Sequence, residues 1–262
     1  MPNVKTNNVE TYYEIHGDGT PLVFIPGVGA CHKLWQPQIE PFSKHFKVIT
    51  YDVRGHGESS GYDEKYSIKL FASDFKVLLD ELGVTKAHIC GLSMGGLIAQ
   101  QFVIDYPGMV DKLILAGTFC HIGVRLRVQI TFAKVLNRII YTFFSIEQIM
   151  KRGAKVFFKR EEQEELRDFF VKEVVRISKK EYFKVVDATY AFDSLKRLKE
   201  IRSPTLILNA EGEKNERQQA EIMQKEIKNS RKELILDTFH ASNLEKPDEF
   251  NKLVLEFLLD GV

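Results

Sequence analysis

Apolar residues in this 262-residue chain gather in short unbroken runs rather than in strict alternation. LVFI (22–25), KVITY (47–51), AHIC (87–90), KLILAG (112–117), TLILNA (205–210) and ELIL (233–236) are rich in β-branched and large apolar side chains. Runs of that length without a polar face predict strands buried on both sides. ETYYEIH (10–16) adds a more polar strand ahead of them. Helical patterns lie between several of these. Ser67 caps a predicted helix whose apolar positions Ile68, Phe71, Phe75, Leu78, Leu79 and Leu82 share one face, and Gly83 stops it. Residues 94–106 read as a second helix, ended by Tyr106-Pro107-Gly108, and a last one follows Pro247 with Phe250, Leu253, Val254, Phe257 and Leu258 inward. Strand alternating with helix predicts βαβ units, hence a mostly parallel sheet with helices on both faces.

One stretch breaks the alternation. From about residue 119 to 200 no buried strand pattern occurs, only helix-like segments rich in Phe, Lys and Glu. The chain therefore divides into a core, residues 1–118 and 201–262, and a helical lid inserted at 119–200. The first half of the insertion, RLRVQITFAKVLNRIIYTFFSIEQIMKRGAKVFFKR, is strongly basic with aromatics interleaved. Such a helix can lie on a membrane or a nucleic acid. The acids of EEQEELRDFF that follow favour instead solvated charged faces over Phe residues packed on the core.

Composition narrows the class without naming it. With 44% hydrophobic and 28% charged residues the chain has the make-up of a globular protein. A formal net charge of +1 gives no global field to recruit nucleic acid or an anionic membrane. No apolar run approaches the length of a membrane span, so no stable insertion is expected. The start, MPNVKTNNVETYYEIHG, lacks the layout of a secretory signal. Cys31, Cys90 and Cys120 are an odd, scattered set without metal-ligand spacing, which favours a reducing cytoplasm and no metal.

The chemistry centres on HICGLSMGGLIAQ (88–100), where three glycines surround Ser93 between a strand and a helix. Gly-x-Ser-x-Gly in that setting, here Gly91-Leu92-Ser93-Met94-Gly95, is the nucleophile elbow. A turn this sharp leaves no room for a Cβ on either side of the serine. It lifts Oγ above the carboxyl ends of the strands and aims the first N–H groups of the helix at the same space. A serine needs a base, and the base a third group to hold it. His240, in DTFHASNLEKPDEF after the last strand, is the natural base in the chain order Ser, acid, His. His16, His45 and His88 read as strand or loop residues, whereas His32, His56 and His121 fall near loops that could border a pocket. The acid is expected after TLILNA, in the loop carrying Glu211, Glu213 and Glu216. Glu213 is the first choice and Glu211 the substitute, while Asp237 lies too close to His240 in sequence.

With GLSMGG, the segments FIPGVGACHKLW (24–35), YDVRGHGES (51–59), SPTLILNAEGE (203–213) and HASNLEKPDEF (240–250) make the chain resemble the α/β-hydrolase fold superfamily, of the small lid-bearing kind. The matches run from near one end of the chain to near the other and leave only the lid uncovered. The resemblance implies two oxyanion donors, the backbone N–H groups of Val28 and Met94, and it places the family's acid on Glu213. Pro26-Gly27 stands where His-Gly is common in the family, and the acid is Glu rather than Asp. Serine as nucleophile sets the chain apart from the haloalkane dehalogenase and epoxide hydrolase branches. GLSMGG and LILAGT are similar to the 3-oxoadipate enol-lactonase and cofactor-free haloperoxidase-like esterase branches.

The expected activity is hydrolysis of a small, partly apolar carboxylic ester or lactone through an acyl-enzyme on Ser93, with no cofactor, by a monomer or homodimer. Asp52 and Arg54 are read as bracing by charged hydrogen bonds. Phe132, Phe143, Phe144, Phe157 and Phe158 are expected to form an apolar acyl pocket, with Trp35, Cys31, Cys120 and His121 bordering the site. A carbon–carbon bond hydrolase of diketones and a ligand-sensing signalling protein with a slow triad are the alternatives on the same scaffold.

Overall fold

The computed structural model of the protein describes residues 2–122, 141 and 143–260. Among them, eight strands form one sheet: β1 (Asn3–Thr6), β2 (Val9–His16), β3 (Pro21–Ile25), β4 (Lys47–Tyr51), β5 (Ala87–Leu92), β6 (Val110–Ala116), β7 (Thr205–Ala210) and β8 (Ser230–Ile235). Their spatial order is β1-β2-β4-β3-β5-β6-β7-β8. β1 and β2 pair antiparallel and β2 joins β4 antiparallel, whereas every pairing from β4 across to β8 is parallel. The described α-helices, in chain order, are α1 (Gln36–Ser43), α2 (Ile68–Glu81), α3 (Met94–Asp105), α4 (Ile146–Phe157), α5 (Glu164–Phe169), α6 (Lys179–Ala191), α7 (Lys214–Glu226), α8 (Ser242–Glu245) and α9 (Pro247–Leu259).

The unbroken apolar runs are explained by the two faces they serve, because successive strand residues point to opposite sides. Val23, Ile25, Ile89, Leu113, Leu115 and Ile207 pack with Phe71 and Phe75 of α2 and Leu97 and Phe102 of α3. Leu22, Phe24, Cys90, Ile114, Leu206 and Leu208 pack on the other face with Phe42 of α1 and Phe250 and Val254 of α9. Each large side chain so buried contributes roughly 1.5–3 kcal/mol. Ser67 Oγ accepts the Leu70 N–H (3.1 Å) at the start of α2, and Gly83 just past its end has φ +66°. Both terminators are those expected from the sequence.

Two strand expectations shift. β1 has no counterpart in the apolar pattern, since NVKT is short and mostly polar; it is held by its ladder with β2 and by Val4 packed against the core. The run ELIL (233–236) falls late in β8, which begins at Ser230. β8 is paired on one side only, so Leu234 and Leu236 are exposed, and an apolar run does not mark its limits. Between β6 and β7 the described chain is helical, from α4 through α6. Isolated bridges Ala30–Val175 and His56–Ile177 fasten this segment to the loops after β3 and β4. No helix among the described residues is long and apolar enough to cross a membrane.

Candidate active site

Three loops at the carboxyl ends of the parallel strands converge on Ser93. The turn from β5 into α3 holds Ser93 at φ 56°, ψ −117°, a conformation that costs a non-glycine residue on the order of 1–3 kcal/mol. The glycines explain how so tight a turn closes. A Cβ on Gly91 would run into the backbone of Gly95 and Gly96, one on Gly95 into the Ile25 carbonyl of β3, and one on Gly96 into the Thr118 side chain. The Ser93 N–H donates to the Ala116 carbonyl (2.9 Å), and Thr118 Oγ1 donates to the Ser93 carbonyl (2.8 Å), so β6 and the loop after it pin the turn from below.

His240 lies between β8 and α8, with Nε2 at 3.0 Å from Ser93 Oγ. Its Nδ1 is 2.6 Å from Glu216 Oε1. An ionised carboxylate only accepts, so Nδ1 carries the proton and Nε2 is left to accept from the serine hydroxyl. Burial lowers the His240 pKa, but the charge and hydrogen bond of Glu216 outweigh it and leave the imidazole above its ordinary 6.5. The Phe157 ring from α4 stacks on the imidazole, centroids 4.7 Å apart. A hydroxyl facing a base that is itself oriented by a carboxylate can be deprotonated as it attacks a carbonyl carbon.

The carboxylate on His240 is therefore neither Glu213 nor Glu211, the two expected from the sequence. Glu213 ends the loop before α7 and faces Lys159 Nζ at 3.8 Å, and Glu211 accepts the Asp237 N–H (3.0 Å). The loop is shorter than the sequence reading assumed: Glu211 N and Gly212 N donate to Ile235 and Thr238 of the neighbouring strand end, and α7 begins at Lys214. Glu216 sits in the first turn of α7. The signal was helical: Glu216, Ala220 and Met223 recur at i, i+4 and i+7, and Ala220 and Met223 are buried. A residue on that stripe must face the sheet rather than solvent.

Of the expected oxyanion donors, Met94 is the first residue of α3, whose N–H has no intrahelical acceptor. Val28 follows Gly27, and a Cβ on Gly27 would lie 3.3 Å from Ser93 Cβ, so this backbone passes directly alongside the serine. Two cavities meet at Ser93. The larger, about 370 Å³, is lined by Val28, Phe119, Ile149, Met150, Phe157 and Tyr182 among others, with Ser93, His240 and Glu216 in its wall. The smaller, about 40 Å³, lies against Gly27, Val28, Ala30 and Leu34, with Phe157 and Phe170 shared between the two.

The expected substrate-binding set is not in these walls. Trp35 is fully buried in the core beside α1, 4.7 Å from the Phe24 ring and 6.1 Å from that of Phe250. Cys120 is buried with its N–H and Sγ both on Gln219 Oε1, and His121 Nδ1 lies 3.5 Å from Cys120 Sγ. Those two residues anchor the chain leaving β6 onto α7 and do not reach the cavity. Loop position alone could not distinguish these outcomes. Of the expected phenylalanines, Phe157 lines both cavities and Phe158 is buried in the core, whereas Phe143 is exposed and Phe144 stacks under Arg152. Phe132 lies outside the described residues. Asp52 accepts from His32 N (2.6 Å), His32 Nδ1 (2.9 Å) and Glu58 N (2.8 Å). Arg54 holds Asp74 through two 2.7 Å bonds, so this loop is braced by charge as its composition suggested. Cys31, His32 and Asp52 bring possible ligand atoms within 4.8 Å of one another. Burial, with Asp52 beside it, pushes the Cys31 thiol up to about 11, which makes it a poor ligand.

A parallel sheet with the serine turn after β5, the carboxylate after β7 and the histidine after β8 is the layout of one family. The sequence profile of the alpha/beta hydrolase fold matches residues 20–247, and the chain belongs to that family. It is 29% identical to 3-oxoadipate enol-lactonase 2 of Acinetobacter baylyi over 90% of this chain and 88% of that protein. It is 28% identical, over 98% of both chains, to a protein of Azorhizobium caulinodans named for carbamate hydrolysis. Its fold is similar to that of an enol-lactonase from Burkholderia xenovorans, with TM-score 0.89 at 25% identity, covering 99% of this chain and all of the other.

Proposed function

We propose that the chain is a serine hydrolase that cleaves carboxylic esters or lactones of small, largely apolar substrates through an acyl-enzyme on Ser93. The observation that carries this reading is the unbroken relay from Ser93 Oγ to His240 Nε2 (3.0 Å) and from His240 Nδ1 to Glu216 (2.6 Å), opening into a 370 Å³ cavity. His240 takes the hydroxyl proton as Oγ adds to the carbonyl, and the N–H groups of Val28 and Met94 receive the oxyanion. The imidazolium, stabilised by Glu216, then protonates the leaving alkoxide. Water attacks the acyl-enzyme by the same route, with His240 first as base and then as acid, and frees the carboxylic acid and Ser93. Residues 119–200 act as the lid, with α4 and α6 forming the apolar wall for the acyl group.

Intact-mass labelling with a fluorophosphonate tests the reading. One rapid adduct is expected on the wild type, none on Ser93→Ala and a much slower one on His240→Ala. No adduct on folded wild type would overturn it. The accompanying substrate screen includes esters, lactones and a carbamate, because the carbonyl of each passes through the same tetrahedral intermediate.

A further inference from the structure

Beyond the serine, histidine and glutamate just described, the large cavity has one charged side chain in its wall among the described residues, Arg152 of α4. Its guanidinium lies 4.1 Å from the centroid of the Phe144 ring. The nearby acids of the lid are taken up elsewhere: Glu147 pairs with Lys151 at 2.7 Å and Asp168 with Lys172 at 2.7 Å. Arg152 has no carboxylate partner among the described residues. The rest of α4 that reaches the cavity, Ile149, Met150, Gly153, Val156 and Phe157, is uncharged. The polar groups of the opposite wall are the hydroxyls of Tyr182, Thr189 and Tyr190 on α6. Burial pushes the Tyr182 phenol up to about 12, so it stays a hydrogen-bond donor at neutral pH.

We propose that Arg152 is the specificity-determining residue of this cavity, holding the carboxylate of a substrate whose ester or lactone carbonyl lies at Ser93. The inference rests on the serine-hydrolase reading and deepens it by naming the substrate class, an anionic acyl ester or lactone. A neutral acyl group gains nothing from the guanidinium, which is exposed and keeps its water. A carboxylate returns a planar, two-point, charge-assisted contact that suits the guanidinium fork. Stacking on Phe144 fixes the plane of that fork before the substrate arrives. The surrounding charge points the same way. Among residues 143–160, Lys151, Arg152, Lys155, Lys159 and Arg160 stand against the single acid Glu147. This local excess of positive charge on α4 and the turn after it favours an anion at the cavity and is screened as salt rises.

The test compares mono-p-nitrophenyl glutarate with neutral p-nitrophenyl pentanoate on wild type, Arg152→Ala and Arg152→Lys, and measures glutarate binding to each protein by calorimetry. Arg152 is exposed, so circular dichroism should show all three proteins folded. Arg152→Ala is expected to cut kcat/KM on the charged ester about ten- to a hundredfold more than on the neutral one, from the worth of a charged hydrogen bond. Glutarate binding should weaken by at least about tenfold on the same ground, and Arg152→Lys should recover part of both. Equal effects on the two esters, with glutarate binding unchanged, would overturn the assignment and leave the serine-hydrolase reading intact. Arg152-dependent glutarate binding by a protein that turns over neither ester and takes no fluorophosphonate would sink the serine-hydrolase reading and keep the carboxylate subsite.

Discussion

Glu216→Gln separates the site as folded from the site as its sequence suggested. The replacement keeps size and a hydrogen-bonding carbonyl but removes the charge that faces Nδ1 at 2.6 Å. Removing the charge of the orienting carboxylate in a serine triad costs about 10⁴ in kcat, which is about 5.5 kcal/mol at 1.36 kcal/mol per decade. Part of that cost is tautomeric, and a Gln that offers its carbonyl to Nδ1–H avoids that part. The expected loss in kcat/KM therefore falls between about 10² and 10⁴-fold. Glu213→Gln, whose carboxylate faces Lys159 and reaches His240 only through space, is expected to lose less than about threefold, as befits a partly exposed charge.

The pH profile gives a second, independent readout of the same substitution. In the wild type the His240 pKa stands above 6.5, because the Glu216 charge and hydrogen bond outweigh burial. Nε2 must be unprotonated to act as base, so kcat/KM should fall as pH drops through that raised value, with the acid limb above pH 6.5. In Glu216→Gln burial is opposed only by the through-space charges of Glu213 and Glu245, and the limb should move to lower pH. For stability the sign is opposite. A raised folded-state pKa contributes stability that is fully present below the unfolded value and lost as pH rises through the folded one. Stopped-flow phosphonylation from pH 5 to 9 measures the limb. A larger loss in Glu213→Gln than in Glu216→Gln, or an acid limb that does not move, would refute the assignment.

Three further substitutions probe the frame that holds the site. Gly95→Ala places a Cβ against the Ile25 carbonyl; overpacking of this kind costs roughly 1–3 kcal/mol. Its melting temperature should fall by several degrees, and a wild-type melting curve would show that the turn can relax. Arg54→Met leaves Asp74 buried without its two 2.7 Å bonds. Urea unfolding should report a loss of about 3–5 kcal/mol, whereas a loss below 1 kcal/mol would mean that water reaches the carboxylate. Phe157→Ala removes the ring stacked on His240 and the wall shared by the two cavities. KM for hydrophobic acyl esters should rise more than kcat falls, and an unchanged KM would count against Phe157 as an acyl contact.

What the sequence revealed, and what it hid, divides along a physical line. β5, β6 and β7 were legible because a strand buried on both faces needs apolar residues at every position, and such runs stand out. Ser93 was legible because its backbone conformation leaves three neighbouring positions to glycine, a constraint written directly in residue type. His240 followed from its place after the last strand. Trp35, Cys120 and His121 misled because nearness to a loop says nothing of direction. The 3₁₀ turn His32–Trp35 points Trp35 into the core, and Gln219 holds Cys120 against α7. The carboxylate on His240 misled for a related reason. Glu211, Glu213 and Glu216 are identical in type, and only the phase of α7 decides among them. That phase is set by where the helix starts, the least legible feature of any helix. The buried stripe through Ala220 and Met223 carries the phase back to Glu216, whereas a reading that stops at the strand end does not see it.

The contacts of α4 reach beyond the cavity. α4 and the turn after it wall the cavity with Ile149, Met150 and Phe157, and also touch the loop that carries His240. Phe157 stacks on the imidazole, Arg160 donates to the Asp237 carbonyl, and Gln163 Nε2 donates to Glu245, whose other oxygen accepts the Phe239 N–H (2.8 Å each for the last two). Burial raises the Glu245 pKa, and the Gln163 and Phe239 donors and the Arg160 charge act against that rise. If residues 119–200 act as the proposed lid, moving α4 and the turn after it away from the core must break contacts on either side of His240 in sequence. On the proposed reading, access to the cavity and the placement of His240 are coupled through Glu245. Glu245→Leu removes the acceptor from both Gln163 and Phe239 and should release the His240 loop. The expected result is a fall in kcat that exceeds the rise in KM for small esters, with faster amide exchange confined to residues 237–245. Exchange that quickens throughout α4 and α6 while the His240 loop stays protected would place the latch elsewhere.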